Sequence, residues 1–142
     1  MSKVSLENVF DCWAFCFDQY IHAAVNNVER HLKTFNQSLP KRAHAPFRSN
    51  YRPELDISAE LPPLEANHFQ SLLGILRWVV ELGRIDIAVE VLMMSFMMAM
   101  PRRGHLEQVF HIFEYLKQRY NSEMVFDPTV PVFEESLFPQ ED

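Results

Sequence analysis

The pattern of apolar and polar positions changes period along the chain. Between residues 3 and 17, Val4 and Leu6 alternate with polar neighbours, and Trp13, Phe15 and Phe17 share one face. That period of two predicts two short strands joined through Glu7-Asn8-Val9-Phe10, a turn without the glycine that tight hairpins favour. From Asp18 the period lengthens. Ile21, Val25, Val28, Leu32 and Phe35 recur at steps of three and four, which predicts an amphipathic helix capped by Asp18 and ended at Asn36. Residues 37–63 then lose any period and hold Pro40, Pro46, Pro53, Pro62 and Pro63. A stretch of that length is either functional or a join between subdomains.

Helical spacing returns at residues 65–82, stopped by Gly83, and again at 86–100 with Asp86 as cap. The 86–100 helix is apolar nearly all round, apart from Glu90 and Ser95, which predicts a position at the centre of a bundle or under a partner. Its methionines, Met93, Met94, Met97 and Met98, read as core filler in preference to a soft binding groove. After Pro101 a last helix is predicted over 103–120, with Leu106, Val109, Ile112 or Phe113, and Leu116 inward. Met124-Val125-Phe126 reads as a short strand, and an acidic, extended tail follows Pro128.

The fold class expected is mainly α (α+β): a small N-terminal β-hairpin and a bundle of about four helices. The units are a hairpin and first helix over 1–36, a Pro-rich basic connector over 37–63, a three-helix bundle over 64–120 and the tail over 121–142.

Charge adds an asymmetry. The formal net charge of −6 argues against strong independent binding to nucleic acid, whose affinity comes mostly from Lys/Arg–phosphate contacts. Yet residues 30–53 hold Arg30, Lys33, Lys41, Arg42, Arg48 and Arg52 and no acid. The rest of the chain carries seven basic residues against nineteen acids, a balance of −12. One basic surface on an acidic body follows, with Lys41 and Arg42 as phosphate-binding candidates, unless the segment is simply a solvated loop. Two cysteines, Cys12 and Cys16, make no disulfide framework and point to a reducing, intracellular compartment. No apolar run is long enough to span a membrane.

No constellation for catalysis emerges. Cys12, Cys16 and His22 offer three metal ligands without a fourth, and His105 and His111 lie about 120° apart on a helix. The acids are scattered, so nothing resembles a two-metal phosphoryl-transfer site. Three glycines make no phosphate cradle. Neither a metal nor another cofactor is expected.

The informative stretch is the 65–82 helix. With Gln70 at 0° and about 100° per residue, Gly74 falls near 40°, Trp78 near 80° and Arg77 near 340°, while Phe69, Leu72, Leu73, Ile75, Leu76, Val79 and Val80 fill roughly 140–300°. A glycine inside a helix costs about 0.5–1 kcal/mol relative to alanine and is often kept where another backbone comes close. The stripe Gln70-Gly74-Arg77-Trp78 fits a helix laid along a nucleic-acid groove, or a helix packed on another helix through Gly74. Glu81, near 20°, could pair with Arg77 or repel phosphate.

The residues Phe69-Gln70-Ser71-Leu72-Leu73-Gly74-Ile75-Leu76-Arg77-Trp78, Gly83-Arg84-Ile85-Asp86-Ile87, Ser95-Phe96, Pro101, His105 and Tyr115-Leu116-Lys117 resemble, in order and spacing, the block after the polymerase palm in copia-type retrotransposon polyproteins. Upstream, Cys12-Trp13-Ala14, Tyr20-Ile21 and Asn27-Val28-Glu29 resemble the hairpin and helix after that family's catalytic strands. The likeness spans about residues 4–127. Gln70-x3-Gly74-x3-Trp78 is also similar to the thumb helix of retroviral reverse transcriptases.

The resemblance implies a reverse transcriptase thumb and connection whose helix tracks the minor groove of a template–primer duplex. Its partners would be that duplex and the palm and RNase H parts of the polyprotein, in the cytoplasm or the nucleus. The chain departs from the family pattern in three ways. Ile85 replaces a proline; His111, Phe113 and Glu114 stand where basic residues are usual; and the Tyr-x-Asp-Asp motif and RNase H acids are absent. The expected product is a non-catalytic fragment lying between two active sites. The other function in play is a helical protein–protein interaction module with no nucleic-acid role, and exposed apolar surface would also let copies of the chain associate.

Overall fold

The computed structural model describes residues 2–5 and 11–126. It is mainly helical, with a small antiparallel sheet: β1 (Ser2–Ser5), β2 (Asp11–Phe15), α1 (Asp18–Thr34), α2 (Pro63–Glu81), α3 (Ala88–Phe96), α4 (Arg103–Gln118) and β3 (Met124–Phe126). β1 pairs with β2 with Val4 opposite Cys12, and β3 pairs with the other edge of β2 with Ala14 opposite Val125. The turn expected at Glu7–Phe10 and the acidic tail from residue 127 lie outside the described residues.

α1 buries Ile21, Ala24, Val25, Val28 and Leu32, as its spacing predicts. Its cap differs from expectation. Phe17 is the capping position, and Asp18 is the first helical residue, where a carboxylate still suits the positive end of the helix. Phe35 has left the apolar stripe; it lies beyond the last helical turn and is exposed beside His31. Asn36, with a left-handed φ of 54°, ends the helix. α2 begins at Pro63, because a first-turn residue needs no N–H, and buries Phe69, Leu72, Leu73, Leu76 and Val79.

The centre of the fold is α4, which sets aside the central one of the two positions expected for the third helix. α3 covers only nine residues, preceded by a 3-10 turn at Ile85–Ile87, and it buries Val91 and Met94 while its outer side stays open. α4 instead is buried from His105 to Leu116 except at Glu107 and Phe110, with polar His105, Gln108, His111 and Glu114 among the buried residues. It can carry those polar groups because the proline-rich segment lies against it. His105 Nε2 meets the Pro53 carbonyl at 3.0 Å, Gln108 Nε2 donates to Pro46 O at 2.9 Å, and His111 Nε2 meets Ala45 O at 3.0 Å. The 120° between His105 and His111 does not separate them, since the segment curls around the helix. Leu39, Ala43 and Leu61 of this segment enter the same core as α1, α2 and α4.

The start of α4 is fixed from the same side. Tyr51 Oη and the Ser58 N–H donate to Asp56, at 2.6 and 2.8 Å, and the Gly104 N–H donates to Ser58 Oγ at 2.9 Å. A Cβ on Gly104 would stand 1.9 Å from Asp56 Oδ2. Because Asp56 is held by several bonds, it cannot swing aside freely, and the glycine is required by close approach.

The far end of α4 is joined to the α2–α3 corner by Arg84, which is buried. Its guanidinium donates twice to Asp86, both at 2.8 Å, and to the Arg119 carbonyl at 2.9 Å, while Tyr115 Oη donates to Asp86 at 3.1 Å. Burial disfavours the Asp86 carboxylate, but the Arg84 bonds and charge, with the Tyr115 hydroxyl, outweigh it and hold its pKa below the usual range.

Two stability outcomes follow. Arg84→Ala should cost about 3 kcal/mol in urea unfolding, because it strands a helix-end carbonyl and removes a buried charged fork, and Arg84→Lys should recover only part of that. Gly104→Ala should cost about 1–3 kcal/mol by displacing Asp56, a loss to be read as a lowered unfolding midpoint at unchanged slope.

Candidate nucleic-acid interface

Gln70, Gly74, Arg77 and Trp78 all lie on the exposed side of α2. Trp78 is 54% exposed, and nothing stands within 4 Å of the place a Gly74 Cβ would take. Among the described residues no helix therefore packs on Gly74. Gln70 Nε2 donates to the Met98 carbonyl at 3.2 Å, which places the end of α3 along one edge of the stripe. No ion pair between Arg77 and Glu81 occurs among the described residues, and both side chains face solvent.

Lys41 and Arg42 are exposed on the connector, Arg42 with a left-handed φ of 62°. The structure does not bring them to the stripe. Their neighbour Pro40 lines a cleft of about 850 Å³ with Leu64, Glu65 and His68 of α2, and these three positions lie about 120–220° around the helix from Gln70. Arg48, counted with the basic segment, is committed to the fold. It donates to Gln108 Oε1, pairs with Glu107 at 3.5 Å and lies 4.8 Å over the Tyr51 ring. Arg30, Lys33, Lys41, Arg42 and Arg52 remain exposed.

The cleft itself was not foreshadowed by the sequence. His31 and His68 stack across it with ring centroids 3.9 Å apart, and Phe35, Leu64 and Phe110 line its walls. Arg103 holds Glu65 at its edge. No group of three or more His, Cys, Asp or Glu side chains able to hold a metal occurs among the described residues. Cys16 is a free, half-buried thiol, and His22 packs on Tyr120. No described helix is long and apolar enough to cross a membrane.

A second exposed feature lies on the helix expected at the centre of a bundle or under a partner. Ile85, Val89, Leu92, Phe96 and Met100 form an open apolar row along α3 and its flanks. Its spacing is visible in the sequence, but neighbouring apolar residues on the inner face conceal which side is bare. The chain matches no known family model, no curated protein and no solved structure.

Two histidines titrate with the fold. Burial depresses the His68 pKa, helped by His31 and opposed by Glu65; burial also depresses that of His111, with Arg48 adding to the effect and the Ala45 carbonyl and Glu114 opposing it. The folded chain thus prefers the uncharged rings. Their stabilising contribution is full above the unfolded value of 6.5 and is lost as the pH falls through the lower folded values. Unfolding midpoints should drop between about pH 7 and about pH 5, and a His68→Gln, His111→Gln double variant should show a flatter profile in that window.

Proposed function

We propose that this chain is a non-catalytic piece of a copia-type retroelement RNA-directed DNA polymerase, the part that grips a template–primer duplex through the exposed face of α2. The observation that carries this reading is Gly74. It sits in a helix interior at a cost of about 0.5–1 kcal/mol relative to alanine, and among the described residues no atom occupies the space above it. A residue that weakens the helix and serves no internal packing fits the close approach of something outside the chain. Trp78 offers a flat apolar surface to sugars beside it, and Gln70 and Arg77 supply donors for phosphate or base edges.

The resemblance adds support. The grip is weak by construction, because the net charge is −6.

Fluorescence anisotropy with a labelled primed duplex tests the reading. Binding should weaken as salt rises, with a log–log slope reduced by about one in Arg77→Gln. Trp78→Ala should weaken binding about tenfold, as loss of one aromatic contact does. Gly74→Ala is the decisive variant: the chain should become more stable to urea by about 0.5–1 kcal/mol while its duplex affinity falls. Undetectable duplex binding at low salt, or a Gly74→Ala protein that binds as well as the parent, counts against the grip.

A further inference from the structure

His31 and His68 meet face to face, with ring centroids 3.9 Å apart and planes 30° apart. The contact joins the last turn of α1 to α2 at the wall of the cleft. The two partners differ. His31 is exposed, and its ring also tilts on that of Phe35, with centroids 5.2 Å apart. His68 is half-buried, and its Nε2 is shut off from solvent with no hydrogen-bond partner among the described residues. An uncharged imidazole can leave one nitrogen without a proton, so the arrangement suits a neutral His68. A protonated ring has a donor at both nitrogens, and here one of them lacks an acceptor.

The charged groups around the pair offer little remedy. Glu65 lies one turn before His68 on α2, but Arg103 of α4 holds its carboxylate at 2.5 and 3.2 Å. Farther along the cleft, Glu107 of α4 faces Arg48 of the connector at 3.5 Å. On α1 the cations Arg30 and Lys33 stand about 100° and 160° around the helix from His31, and neither favours a further positive charge. Burial and His31 therefore oppose a charge on His68, with the engaged Glu65 in its favour, and the His68 pKa lies below the ordinary 6.5.

Parting the rings leaves the core in place. α1 packs on α4 and enters the core through Ile21, Val25, Val28 and Leu32, whereas His31 and Phe35 stand outside it. We propose that the His31–His68 stack is a pH-sensitive latch on the cleft: while His68 is uncharged the rings hold the two walls together, and when His68 takes up a proton His31 swings outward with Phe35 and the cleft opens. The closed form binds fewer protons. It is favoured above the ordinary histidine value of 6.5 and gives way as the pH falls through the lower value of His68. Water entering the widened cleft then accepts the Nε2 proton's hydrogen bond. The latch is independent of the duplex grip, since His68 lies about 160° around α2 from Gln70.

Side-chain NMR of the full chain, titrated between about pH 8 and about pH 5, tests the latch. His68 should titrate below 6.5, and the ring-to-ring NOE between His31 and His68 should vanish over the same range. The methyl signals of Leu73, Leu76 and Val109 in the core should keep their positions. An uncharged nitroxide cosolute should broaden the Leu106 and Phe110 signals more strongly once the NOE is lost. His31→Ala uncovers Nε2 and removes the neighbouring ring, so the His68 midpoint should rise toward 6.5; His31→Ser serves equally if that variant fails to fold. A His68 that titrates at 6.5 or above overturns the proposal, as does a ring contact that survives His68 protonation. Core methyl signals lost together with the contact, an unchanged nitroxide effect, or a His68 midpoint unmoved by the loss of His31 overturn it equally.

Discussion

The structure depends on one constraint: α4 is buried almost all round and yet carries His105, Gln108 and His111. A buried donor without a partner costs about 1–3 kcal/mol, so three such residues in a row demand acceptors at fixed places. The proline-rich segment supplies them as the carbonyls of Pro53, Pro46 and Ala45. Proline contributes a carbonyl and no N–H, so a segment rich in it has acceptors to spare and few donors needing partners of their own. Gln108 also uses its oxygen, accepting from Arg48 Nε at 3.2 Å, and His105 Nδ1 accepts the Arg102 N–H at 3.0 Å, which leaves the His105 proton on Nε2 for Pro53. The helix and the segment complete each other, and neither has a plausible buried conformation alone.

Arg84 repeats the arrangement at the other end of α4. Its fork on Asp86 and its bond to the Arg119 carbonyl tie the α2–α3 corner to the last turn of the helix. Lys117 adds an exposed link to Glu29 of α1. The residues singled out along the sequence are therefore of two kinds. Arg84, Asp86, His105 and Tyr115 are needed to hold the helices in place whatever the surface does. Gly74 and Trp78 are exposed and hold no part of the core together.

Helix existence was legible because the stripes of α1 and α2 alternate cleanly at helical spacing. Boundaries were less so. Asp18 looks like a cap in sequence, but capping is decided by the backbone of Phe17, which a side-chain preference cannot reveal. The centrality of α4 was hidden for a related reason. Polar residues such as His105, Gln108 and His111 read as a solvated face until the segment that covers them is in view, whereas the continuous apolar run of α3 reads as fully buried although half of it is bare. The four residues of the α2 stripe were placed on one face by phase alone. Lys41 and Arg42 could not be placed, because a segment without period carries no information about which way it turns.

The polar groups of the interior are paired with few exceptions, so the features that remain costly to an isolated chain are on the outside. Gly74 weakens its helix with open space above it, and the α3 row holds apolar surface in water. These costs differ in kind. A glycine in a helix interior is conformationally expensive whether or not anything binds. Exposed apolar surface is expensive only until it is covered, and the covering body must match it in length and relief. Under the proposed duplex grip, the first leaves room for a close approach. The second is lifted only by a body that covers the row.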